Sequence, residues 1–149
     1  MGILDRLTGT RYPDTGVAVR SAAEVRAALL AVNGPDVPFV VRNGVPTERA
    51  DLVAMWRVRE LGITVRTRMR LVPEQHEVRA LNEQWDARTR EYSRGQLTTT
   101  ARDWTIERGE DGRLTKSEGA RFDFARMKDP LRGAVLGAGW VWRGVVFRL

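Results

Sequence analysis

Cysteine is absent from this chain. That removes disulfides, zinc fingers, thiol nucleophiles and iron–sulfur ligation together, and it fits a reducing compartment. Histidine occurs once, at His76, beside a turn signal, so any Ser–His or His–metal chemistry has a single candidate base. The serines are Ser21, Ser93 and Ser117, and Ser21 is placed to cap a helix. No apolar run approaches the ~20 residues that a membrane helix needs. The first residues, MGILDRLTGTRYPD, carry Asp5 and Arg6 and lack an apolar stretch of signal-peptide length. A cytoplasmic protein without a membrane partner is expected. No D-x-D-x-D-G loop or H-E-x-x-H pair occurs. The nearest approach to paired acids is Glu48 with Asp51, or Glu83 with Asp86, and both pairs read as solvated. The glycines at 133, 137 and 139 lack the strand-then-lysine context of a phosphate cradle. No catalytic constellation, cofactor or metal site emerges, and an enzyme is not expected.

What remains is globular. The chain has 149 residues, 42% apolar and 30% charged, with a formal net charge of +6. That length suits a single domain that buries about two-thirds of its unfolded surface. Lysine is nearly missing: Lys116 and Lys128 stand beside 23 arginines, a bias that reads as high-GC codon usage. The acids are interspersed with the arginines rather than segregated, so the charge is a weak argument for nucleic acid.

Residues 1–20 read as a loosely docked arm. Ser21 and Glu24 have capping-box spacing, and Val25, Ala28, Leu29 and Val32 follow at helical period, so a helix is predicted over 22–33, stopped by Asn33-Gly34-Pro35. Strands are predicted over 38–42 and 51–59, joined by a hairpin at Asn43-Gly44. The strongest alternation runs over 63–72: Ile63, Val65, Thr67, Met69 and Leu71 on one face, Thr64, Arg66, Arg68 and Arg70 on the other. A turn at Pro73-Glu74-Gln75 returns the chain over 77–85. A tight turn pairs Leu71 with Val78, Met69 with Ala80, Arg70 with Arg79, Arg68 with Leu81 and Arg66 with Glu83. A polar loop over 88–95 precedes strands over 96–107 and 119–127, with a hairpin tip at Glu110-Asp111-Gly112 and Phe122 beside Phe124 on one face. Asp129-Pro130 predicts a buried helix over 130–138, with Gly133 and Gly137 set close against a sheet. A strand over 140–148 ends the pattern.

The fold class is therefore α+β, mainly antiparallel, with an N-terminal helix and a short buried C-terminal helix. An open sheet covered by helices and a partly closed barrel plugged by the second helix both satisfy the pattern.

Three stretches, RYPDTGVAVRSAAEVRAALLAVNGPDVPFVVRNGVPTERADLVAMWRV, MRLVPEQHEVRALNEQW and KDPLRGAVLGAGWVWRG, resemble an uncharacterised family of small proteins from high-GC bacteria. They span over half of the chain, and residues 88–127 lie outside the resemblance. It implies a bacterial, cytosolic, single-domain protein and transfers no functional residues, because that family has no assigned activity.

Two features carry functional content. Arg66, Arg68, Arg70 and Arg79 share one face of one hairpin. Like charges opposite one another on a sheet are unfavourable, so either Glu77 and Glu83 screen them or they receive an anionic partner, an acidic protein surface before a nucleic acid. Single-stranded nucleic acid calls for interleaved aromatics, and none lies between 63 and 84. The second feature is the tryptophans. Trp56, Trp85 and Trp104 are candidates to line a ligand pocket, the alternative class of function, although core and hairpin packing is the favoured account of them.

Overall fold

The Ser21 hydroxyl accepts from the Glu24 amide at 3.2 Å and the Glu24 carboxylate reaches back to the Ser21 amide, completing the capping box. Helix α1, Ala22–Leu30, starts there and buries Val25 and Leu29 one turn apart. The computed structural model describes the backbone of residues 3, 8–95, 100–108 and 114–149, and their side chains outside 100–122.

Strands β1 (Val40–Asn43), β2 (Leu52–Val58), β3 (Ile63–Val72) and β4 (Glu77–Asp86) form an antiparallel meander. The β3–β4 register matches the sequence expectation pair by pair, from Leu71 opposite Val78 to Arg66 opposite Glu83. The β1–β2 hairpin is present, but Asn43-Gly44 is not its two-residue tip. The loop carries a 3-10 turn at Pro46–Glu48, closed by a bond from the Gly44 amide to the Asp51 carbonyl.

Beyond β4 the sheet divides. Strand β5, Glu91–Arg94, pairs antiparallel with the C-terminal half of β4, and β8, Val141–Val145, pairs parallel with its N-terminal half. The six-stranded sheet is open, which decides against the barrel. β5 lies in the stretch read as a loop. All four of its residues are exposed, so no apolar alternation announced it. Strands β6 (Thr100–Arg108) and β7 (Leu114–Asp123) form a separate two-stranded sheet with a bulge between Arg102 and Trp104. The tip at 110–112 and the side chains of Trp104, Ile106 and Phe122 lie outside the described residues.

Helix α2 spans Ala125–Gly137, so it begins five residues before the predicted start, and Pro130 sits inside it. Its N-cap is Phe124, which offers no side-chain cap bond; the preceding Asp123 accepts from the Ala125 amide at 3.0 Å. The earlier start is favoured because it brings Met127 into the core beside Leu131 and Val135. The expectation for Gly133 and Gly137 is overturned: both are exposed, with open space where a Cβ would stand. The small residues face solvent, and the apolar stripe faces the sheet.

Both helices therefore cover one face. Val25, Leu29, Met127, Leu131 and Val135 pack with Phe124, Trp140 and Trp142 against Leu52, Ala54, Val65, Met69, Val78 and Ala80. On that face the Thr67 hydroxyl donates to Asn82 Oδ1 at 2.8 Å, so its buried polar atoms are satisfied.

The N-terminal arm is held at two places. Arg11 exchanges both backbone bonds with Trp142, and buried Thr10 accepts from the Gly144 amide. Gly144 has no room for a side chain, since a Cβ would collide with the Thr8 carbonyl. Further on, the Trp140 indole donates to the Arg20 carbonyl at 2.8 Å.

Candidate anion-binding face

Strand alternation turns one row of residues from each strand away from the helices. Opposite one another on this second face stand Arg42, Val53, Arg68, Leu81 and Val145, and in the next row Val40, Met55, Arg66, Glu83 and Arg94. Arg70, Arg79 and Arg143 form a third row. Val53 and Leu81 are fully buried here, in the row they share with Arg42 and Arg68.

Three glutamates organise the arginine guanidiniums. Glu83, 3% exposed, accepts from Arg66 Nε at 3.1 Å and Arg68 Nε at 2.8 Å through one oxygen, and from the Tyr92 hydroxyl at 2.7 Å through the other. Burial, with that carboxylate beside it, pushes the Tyr92 pKa up, so the phenol stays a donor. Glu77, also 3% exposed, accepts from Arg79 Nε at 2.9 Å and Arg143 Nε at 2.7 Å. Burial pulls its pKa upward, but the two arginine bonds outweigh burial and the net direction is down. Glu48, on the 3-10 turn, takes both Nη groups of Arg42 at 2.7 Å and the Val45 amide at 3.0 Å. Its carboxyl is lowered from 4.5 to about 2, chiefly by the Arg42 bonds.

Glu83 and Glu77 each hold two arginines, so even the paired part of the face keeps excess positive charge. Of the four arginines that sequence alternation placed together, Arg66, Arg68 and Arg79 are half-buried and ion-paired. Arg70 is exposed, and its side chain makes no hydrogen bond or ion pair among the described residues. The residues leaving β8 bring two further groups to it. Arg148 and Leu149 meet Arg49, Arg68 and Arg70 around a cleft of about 270 Å³. Arg49 and Arg70 also line a neighbouring cleft of about 330 Å³ with Pro46 and Asp51. Neither Arg49 nor Arg148 has an acidic partner among the described residues. Sequence reasoning missed both: Arg49 comes from a turn, and Arg148, read as part of a strand over 140–148, lies beyond β8, which ends at Val145.

The other candidates separate. Trp56 packs in the core opposite Val65, whereas Trp85 stands opposite Thr64 on the second face. The sheet lies between them, so Trp56 and Trp85 cannot line one pocket; the side chain of Trp104 lies outside the described residues. Trp85 is already occupied, with Arg66 4.9 Å above its ring and Tyr92 at 5.2 Å. The acid pairs are also engaged. Asp51 accepts from the Leu71 amide at 2.8 Å, and Asp86 from the Arg88 amide at 2.9 Å. His76 is an exposed turn residue whose ring lies 5.8 Å from that of Trp140. Among the described residues no group of three His, Asp or Glu could hold a metal ion, and no helix is long and apolar enough to cross a membrane.

No protein-family model, curated protein or solved structure matches this chain.

Proposed function

We propose that this chain is a non-catalytic binding domain that recognises an acidic protein surface through its arginine-bearing sheet face. The observation that carries the reading is the group of exposed arginines, Arg49, Arg70 and Arg148, which line one cleft together with Leu149 and make no ion pair among the described residues. Guanidiniums bind carboxylates bidentately. The glutamates beneath contribute by fixing Arg66 and Arg68 and leaving the rim cationic. Nucleic acid is the weaker reading, because Trp85 offers its ring to Arg66 and Tyr92 rather than to a base.

The test is a titration of the chain with polyglutamate. Binding is expected to weaken steeply with salt, since exposed charges beyond about 8–10 Å are screened near physiological ionic strength. Reversing Arg70 and Arg148 to Glu is expected to abolish it with the denaturation midpoint unchanged. Retained binding in that folded double variant rejects the face.

A further inference from the structure

We infer that the cleft between Arg49, Arg68, Arg70 and Arg148 is a seat for a phosphoryl group, a phosphate monoester dianion. The inference rests on the reading of this face as anion-binding and adds the chemistry of the anion. A carboxylate brings one charge and two oxygens. A phosphate monoester brings about −1.5 to −2 and three strong acceptor oxygens. Three of the four guanidiniums make no ion pair among the described residues, and Leu149 lines the cleft beside them. The fourth, Arg68, engages Nε with Glu83 and Nη1 with the Glu48 carbonyl at 2.9 Å, which leaves Nη2 without a described partner. That is more positive charge than one carboxylate neutralises, in a cleft of about 270 Å³ that admits a tetrahedral anion. All four groups are arginines, whose planar forks match phosphate oxygens in pairs.

The backbone of Arg49 gives a second observation. It closes the Pro46–Glu48 turn at φ 52, in the left-handed region, where glycine or asparagine fits with less strain. Its side chain has no bond among the described residues, so the turn itself gains nothing from an arginine. His76 closes the Pro73–Gln75 turn in the same left-handed conformation; what sets Arg49 apart is that it lines the cleft with Arg70.

The experiment is calorimetric titration of the whole chain with inorganic phosphate, with acetate, and with an acidic peptide carrying either serine or phosphoserine. Phosphate is expected to bind at least about tenfold more tightly than acetate, and to tighten between about pH 5.5 and 7.5 as its second proton leaves. The single histidine, His76, lies in the β3–β4 turn, and acetate, titrated over the same window, controls for the protein's own groups. Arg49→Asn and Arg70→Gln are each expected to weaken phosphate about tenfold or more. Arg49→Asn should keep or raise the denaturation midpoint, which separates lost binding from lost fold. Arg57→Gln, on another part of the face, serves as a control and leaves binding intact. A phosphoserine peptide tighter than inorganic phosphate assigns the group to a side chain of the acidic partner, and the reverse order assigns it to a free phosphate. Equal binding of phosphate and acetate, or full binding by both cleft variants, overturns the phosphoryl seat. If polyglutamate still binds then, the acidic-partner reading survives; if it fails too, both fall together.

Discussion

Asn33 holds the amide and the carbonyl of Val41 at once, each bond 2.7 Å long. Val41 is on β1, the edge strand of the sheet, and its outward backbone groups would otherwise be open to another chain. One side chain from the residues that stop α1 thus acts as a one-residue strand. Asn33→Ala is expected to cost about 1–2 kcal/mol, because it removes two bonds and leaves the Val41 amide and carbonyl to water. Urea denaturation measures the loss, and size-exclusion chromatography should show increased self-association. An unchanged midpoint with no self-association would mean that water replaces the amide without cost.

Gly133 and Gly137 stand on the solvent side of α2, with open space where an added methyl would go. Gly133→Ala should therefore stabilise by about 0.5–1 kcal/mol, through lower unfolded-state entropy and better helix propensity. Gly139→Ala should destabilise instead, because its φ is +76 and an added Cβ would collide with the Ala18 carbonyl. Thermal midpoints moving in the same direction for both would contradict the placement of α2.

On the opposite side of that helix, Val135 is fully buried, while Arg132 reaches Asp129 at 3.2 Å near the surface. Val135→Asp leaves an unpaired charge in the core and should cost about 3–5 kcal/mol or prevent folding. Arg132→Asp should cost about 1 kcal/mol or less. Comparable losses would show that the helix is rotated.

Acid should loosen the second face before the core. The Glu48 carboxyl titrates at about 2 in the folded chain against 4.5 ordinarily. A depressed folded value means that the stabilisation is fully present above about pH 4.5 and disappears as pH falls toward 2. Glu77 is displaced in the same direction, so it adds to that slope. Glu48→Gln should lose on the order of 1 kcal/mol at neutral pH, discounted for solvent near the pair, and flatten the stability profile across that window. A profile as steep as that of the unaltered chain would exclude Glu48 as its source.

The β3–β4 hairpin was legible because ten residues alternate strictly and Pro73 to Gln75 allow one tight return, so register and the placing of Glu83 against Arg66 followed together. Helix α1 was legible from Ser21 and Glu24. β5 was not, because Glu91, Tyr92, Ser93 and Arg94 are exposed and become a strand only by pairing with residues already fixed on β4. The start of α2 was misplaced because Asp129-Pro130 is a strong local start signal, and burial of Met127 overrides it. For the site, alternation located Arg70 and the screening of Arg66 and Arg79. It could not supply Arg49 or Arg148, whose approach to Arg70 is a property of the folded chain alone.

Strand β8 lies between β4 and the segment around Arg11, and the bond from Gly144 to Thr10 spans 134 positions. The meander β1–β4, in contrast, is built from neighbours in sequence. Loop-closure entropy delays contacts of high sequence separation, so the meander can assemble first and receive β8 as its last addition. On a ribosome the growing chain would hold an unfinished sheet, one edge of β4 bare along Glu77–Leu81, until residues 141–145 emerge. During that interval the vulnerable surface is this inner strand, which in the finished molecule is fully paired.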